Sequence, residues 1–163
     1  MVFENRLGGA GINEFLDALA AATPAPGGGS AAAAAGAMAA ALGAMVSGLA
    51  KRDAREFEDD RRFLAAAVER DAAAFNEVMA AYRRPKAERA PHVEAALRAA
   101  AAVPAEVSER VSALDARLAV LESEAPARFA SDIETARALA AAARAGALAN
   151  VRVNLEAIAK LSA

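Results

Sequence analysis

The sequence predicts an all-α protein, a bundle of about five long helices. Three observations carry that expectation. Alanine makes up about a third of the 163 residues, and leucine, glutamate and arginine, also strong helix formers, supply much of the rest. Aromatic residues are 4% of the chain and tryptophan is absent, which is poor material for a sheet. The larger apolar side chains recur three, four or seven residues apart, between breaks made by proline and glycine. A chain of this length is expected to form one domain, 1–163, with a core of its own.

The elements follow in order. Asn13 can cap a first helix over about 14–22, with Phe15, Leu16 and Leu19 on one side. Thr23-Pro-Ala-Pro-Gly-Gly-Gly-Ser30 then stops the helix completely. A second helix runs from Ser30 to about Arg52. Its small residues Gly36, Ala40, Ala44 and Gly48 are four apart and share a face that a neighbouring backbone can approach closely. Such a face also suits self-association, and a dimer is expected. Residues 30–50 carry no charge, but alanine and glycine fill most of the stretch, so a buried bundle helix is expected rather than a membrane span.

A third helix, about 55–82, carries Phe57, Leu64, Val68, Phe75, Val78 and Tyr82 as a helical stripe. Pro85 and Pro91 bracket a short connector. A fourth helix covers about 92–123, where Pro104 should kink it or divide it in two. A last helix covers about 132–160, after Pro126.

Composition excludes several kinds of chemistry. With no cysteine there are no disulfides, thiolate metal sites or thiol nucleophiles, and one histidine cannot build a multi-histidine metal site. A net charge of −2 disfavours binding of bulk nucleic acid through a basic field. The segment Met1–Gly11 lacks a basic region followed by an apolar core, so a cytoplasmic protein is expected, with no membrane partner. His92 follows a proline in the connector and reads as a surface residue. The mixed-sign run from Lys51 to Arg62 reads as a solvated helix face.

Four features can carry function. The Pro26-Gly27-Gly28-Gly29-Ser30 segment stands directly before a helix, where free N–H groups and the positive end of the helix dipole suit a polar or anionic group. It lacks the Gly-Lys-Ser/Thr of a nucleotide loop, and a tight turn with Ser30 as N-cap explains it equally simply. Asp71 interrupts the apolar stripe of the third helix, so it faces either a cleft or a core arginine. Ser131-Asp132-Ile133-Glu134 has the spacing of a capping box, with Asp132 in the first turn. Asn150 and Asn154, in line with Gly146, make a polar strip among alanines, either a groove or an inter-helix hydrogen-bond pair.

These segments, in this order, resemble the formiminotransferase-cyclodeaminase family, specifically its cyclodeaminase domain, which includes stand-alone bacterial methenyltetrahydrofolate cyclohydrolases. The resemblance runs from about 12 to 160. It rests on Phe15-Leu16-Asp17-Ala18-Leu19, the octet 23–30, Leu42–Val46, Asp71-Ala-Ala-Ala-Phe75, Pro85-Lys86, Ser131-Asp132 and Gly146-Ala147 with Asn150–Leu155. Ala125-Pro126 stand where the family pattern has Gly-Asn. The resemblance implies one-carbon chemistry on a tetrahydrofolate substrate, through a tetrahedral carbon held between N5 and N10, in a dimeric helical protein. It implies chemistry by proton transfer alone, with no metal and no cofactor, which fits a composition without cysteine and with one histidine. It implies Asp71 and Asp132 as the acid–base carboxylates. Pro26, Gly27, Gly28, Gly29, Ser30, Ser131, Asn150 and Asn154 would hold the substrate. The competing expectation is a non-catalytic helical dimerisation or binding module on the same scaffold.

Overall fold

The computed structural model describes residues 11–161; the reading of residues 1–10 lies outside them. Among the described residues the elements are α1 (Ile12–Ala20), α2 (Gly28–Leu49), α3 (Arg55–Tyr82), α4 (Arg89–Glu124) and α5 (Ala130–Leu161), with one 3-10 turn, Ala127–Phe129, before α5. The architecture is all-α, as composition and periodicity predict.

Helix α2 is the centre of the bundle and packs against α3, α4 and α5. It is long and apolar enough to cross a membrane by length and composition. Small residues let its neighbours come close. A Cβ on Gly36 would lie 3.0 Å from Val111 of α4, and one on Gly43 would lie 2.5 Å from the Phe57 ring of α3. On α5, Gly146 gives the same clearance to Ala32, whose Cβ a methyl there would meet at 3.1 Å. The small-residue face expected to serve self-association is therefore largely used inside the subunit. Gly36, Ala40 and Ala44 are buried, and only Gly48 is open.

Nearly half of the main core is alanine, packed against larger side chains that include Leu64 and Val68 from α3, Val107, Val111, Leu114 and Leu118 from α4, and Ile133 from α5. A smaller cluster at the other end joins Val78 and Ala81 of α3, Val93 and Leu97 of α4, and Ile158 of α5. Deleting methylenes at close-packed positions of this kind costs transfer energy plus a cavity term.

Three boundaries differ from expectation. Helix α1 is capped at Gly11, so Asn13 lies inside it. Helix α2 starts at Gly28 with Gly27 as its N-cap, so Ser30 is its third residue and not its cap. Helix α4 starts at Arg89, placing Pro91 in the first turn, where a missing N–H costs no helical bond. Pro104 neither ends nor divides α4, which runs unbroken for 36 residues. Its ring is buried with Ala101 and Val103, and packing compensates for the one hydrogen bond it removes.

Candidate functional site

The broken loop after α1 delivers three glycines to the start of α2. With Gly27 as N-cap, Gly28 and Gly29 form the first helical residues, and their N–H groups have no partner within the helix. All three glycines line a cavity of about 340 Å³ between α2, α3, α4 and α5, a size suited to a small organic ligand.

Asp71 enters this cavity from the middle of α3. Its carboxylate is held by Ser30 rather than by an arginine. The Ser30 hydroxyl donates to Asp71 Oδ2 at 2.8 Å. The third glycine makes room for this. A Cβ on Gly29 would lie 2.6 Å from Asp71 Cγ and 2.8 Å from Oδ2, and closer still to Oδ1. Burial pushes the Asp71 carboxyl above the ordinary aspartate range, and hydrogen bonding by Ser30 offsets part of that rise.

Two amides complete the polar side. Asn150 Nδ2 donates to the Gly146 carbonyl at 2.9 Å, and Asn154 Nδ2 donates to the Asn150 carbonyl at 3.0 Å. Each NH₂ uses one of its two N–H groups on the helix, so each amide keeps one N–H donor and its carbonyl oxygen as polar groups for the cavity. The first of them touches the loop, because a Cβ on Gly28 would stand 3.3 Å from Asn150 Nδ2. The opposite walls are apolar: Phe75, Met79 and Tyr82 of α3, Leu97 of α4 and Val153 of α5.

One cavity therefore gathers Gly27, Gly28, Gly29, Asp71, Asn150 and Asn154. Ser30 stands behind it, 0% exposed, and Pro26 lies in the loop without lining it. Ser131 and Asp132 are elsewhere. They occupy the first turn of α5, 18 residues before Asn150, or about 27 Å along the helix. Ser131 is exposed there, and its carbonyl accepts from Thr135 Oγ1 at 2.8 Å. The Ala125-Pro126 departure sits at the same end, at the C-terminus of α4.

The apolar walls escape a reading that looks for polar motifs. Their signal is spacing: Asp71, Phe75, Val78 and Tyr82 share one face of α3, and Asn150, Val153, Asn154 and Ala157 share one face of α5. A fully buried carboxylate was hidden in the charge run. Asp60 is 1% exposed and pairs with Arg110 at 3.3 Å and with Arg117. The expected solvated face is thus interrupted by an inward aspartate. Arg110 also stacks on Phe63, its guanidinium carbon 4.6 Å from the ring centre. A groove of about 500 Å³ lies beside this pair, where Arg52 and Glu124 neutralise one another. Among the described residues no three His, Cys, Asp or Glu side chains form a cluster able to hold a metal ion.

The profile of the formiminotransferase-cyclodeaminase family matches residues 11–161. A methenyltetrahydrofolate cyclohydrolase of Methylorubrum extorquens is 38% identical over an alignment covering 57% of this chain and 54% of that protein. The chain thus spans about half the length of this curated relative. The crystal structure of formiminotetrahydrofolate cyclodeaminase from Thermotoga maritima superposes with a TM-score of 0.81 at 30% identity, over 91% of this chain and 80% of that one. The match runs through the glycine loop, Asp71 and the asparagine pair alike, so the chain belongs to the formiminotransferase-cyclodeaminase family.

Proposed function

We propose that this chain is a folate one-carbon enzyme that hydrolyses 5,10-methenyltetrahydrofolate or cyclodeaminates 5-formiminotetrahydrofolate. The carrying observation is the single cavity that joins a half-buried carboxyl, the open N–H groups of a helix start and two side-chain amides. Family membership and the two named relatives support the choice of substrate.

Both reactions need a group that takes and returns a proton beside the bridging carbon, and Asp71 is that group. In hydrolysis, water adds to the methenyl carbon and gives one proton to the Asp71 carboxylate. The tetrahedral carbon then collapses. Its bond to N5 breaks, N5 takes the proton back from Asp71, and the remaining hydroxyl proton goes to solvent as the formyl C=O forms. In cyclodeamination, N10 attacks the formimino carbon, and the formimino nitrogen receives the N10 proton and a second proton from neutral Asp71. Its bond to carbon then breaks, so ammonia leaves, the methenyl cation forms and Asp71 is left ionised. A carboxyl pushed upward by burial serves both roles better near neutral pH than an ordinary aspartate. Asn150 and Asn154 would accept from N–H groups of the pterin, and Gly28 and Gly29 would donate to its carbonyl. No metal or cofactor enters these steps, and the reading places the enzyme in the cytoplasm.

The reading includes a homodimer. Helix α2 carries no charged residue, yet Met38, Met45 and Leu49 are exposed on its outer side. Light scattering at tens of micromolar should show a dimer; a monomer alone would remove this part. At its distance from Asn150, Asp132 would meet a folate at the far end of the molecule or from a second copy of the chain, or serve only as a first-turn charge.

Purified protein should deplete the absorbance of methenyltetrahydrofolate faster than buffer, or generate it from the formimino substrate. If both substrates are unchanged, the binding-module alternative replaces the enzyme.

A further inference from the structure

We propose that Ser30 is a positioning residue for Asp71, its hydroxyl turning between the carboxyl and the Val68 carbonyl as Asp71 loses and gains a proton. The inference rests on Asp71 being the acid–base group of the site described above. Ser30 is 0% exposed and does not line the cavity, so it can act on a substrate only through Asp71. Its Oγ lies 2.8 Å from Asp71 Oδ2 and 3.2 Å from the carbonyl oxygen of Val68, three residues earlier on the same helix.

A hydroxyl has one proton to donate and two lone pairs to accept with. Two acceptors within reach of one donor mean that the proton chooses. An ionised Asp71 is the stronger acceptor and takes the Ser30 proton at Oδ2. When Asp71 holds a proton at Oδ2, that proton is donated to Oγ and the hydroxyl turns to Val68. The Val68 carbonyl has a lone pair to spare beyond its helical bond. Each protonation state is therefore fully hydrogen-bonded, and no buried polar atom is orphaned as the proton moves. Without this partner the carboxylate would lose the hydroxyl donor that fixes its orientation towards the cavity.

The test uses Ser30→Ala and Ser30→Thr beside wild type and Asp71→Asn, in the full chain. The Asp71 carboxyl is titrated by carbon-13 NMR, with its resonance assigned by its disappearance in Asp71→Asn. Turnover of methenyltetrahydrofolate is followed against pH. Ser30→Ala should move the Asp71 titration to higher pH, because a bond favouring the ionised form is lost. The turnover limb governed by Asp71 should move with it. The kcat should fall about tenfold to a hundredfold, with KM little changed. Ser30→Thr keeps the hydroxyl and should return the titration towards wild type. An Asp71 titration in folded Ser30→Ala that overlays wild type overturns the proposal, as does an equal shift in Ser30→Thr. The NMR readout does not depend on turnover, so an inactive wild type would count against the enzyme reading while the Ser30–Asp71 coupling is still measured.

Discussion

Replacing Gly29 by alanine sets two effects of opposite sign against each other. In an open helix, glycine to alanine stabilises by about 0.5–1 kcal/mol. At Gly29 the new Cβ would sit 2.6 Å from Asp71 Cγ, well inside normal contact, so the carboxyl must swing away by roughly 1 Å or α2 must shift. Either movement breaks the bond from Ser30. A hydrogen bond to a charged group is worth about 1.5–3 kcal/mol, so the net expectation is a loss of about 0.5–2.5 kcal/mol. Displacing the acid–base group by about an ångström should cost turnover about a hundredfold. The control is Gly48→Ala near the other end of α2, where an added Cβ meets nothing within 4 Å. That variant should gain up to about 1 kcal/mol and keep full activity. Urea unfolding and the methenyltetrahydrofolate absorbance assay read both variants. If Gly29→Ala is as stable and as active as Gly48→Ala, the loop does not hold Asp71.

Asp71→Asn should lower turnover by about a hundredfold or more while the circular dichroism spectrum is retained. Burial raises the Asp71 pKa above its ordinary 3.8, so the folded state binds that proton more tightly than the unfolded chain. The resulting stability is complete below pH 3.8 and is lost as pH rises through the raised folded value. Melting curves from acid to neutral pH should therefore favour Asp71→Asn over wild type increasingly as pH rises. Asp132→Asn should cost about 0.3–1 kcal/mol, the worth of a first-turn charge, with turnover unchanged. A hundredfold loss instead would put Asp132 against the folate, at its far end or from a second copy. Asp60→Ala should destabilise by roughly 3–5 kcal/mol because it leaves Arg110 and Arg117 without their shared carboxylate. The same variant should turn over substrate normally wherever it remains folded, as titration against urea would show.

Helix number and order were legible because each long segment repeats one signal many times. The apolar spacing of α3 survives any single exception. Helix ends were less legible because each depends on one or two residues. Ser30 has the side chain of an N-cap and follows three glycines, yet Gly27 takes the cap because Asp71 reaches across from α3 to bond Ser30. No local pattern contains a partner 41 residues away. Pro104 misleads for the same reason: its local cost is real, and burial between other helices outweighs it. At the site, the residues with polar motifs were found, but the apolar walls look like ordinary core until the cavity is seen.

Asp60 and Asp71 show what separates a structural carboxylate from a chemical one on a single helix. They are eleven residues apart on α3, close to three full turns, so they share a face. Both interrupt the same apolar stripe, and spacing alone gives them equal claims. Their partners decide between them. Asp60 meets two arginines of α4 and is closed off from solvent, so its charge is neutralised and no substrate can reach it. Asp71 meets a neutral hydroxyl at the mouth of a helix, with a cavity in front of it. No arginine holds its charge fixed, so burial acts on it without full compensation and raises its proton affinity. The glycine at position 29 keeps the space that this arrangement needs. The glycine loop and the lone aspartate, which read as separate features in the sequence, are therefore two halves of one device: the loop starts a helix whose first residues hold the carboxyl that does the chemistry.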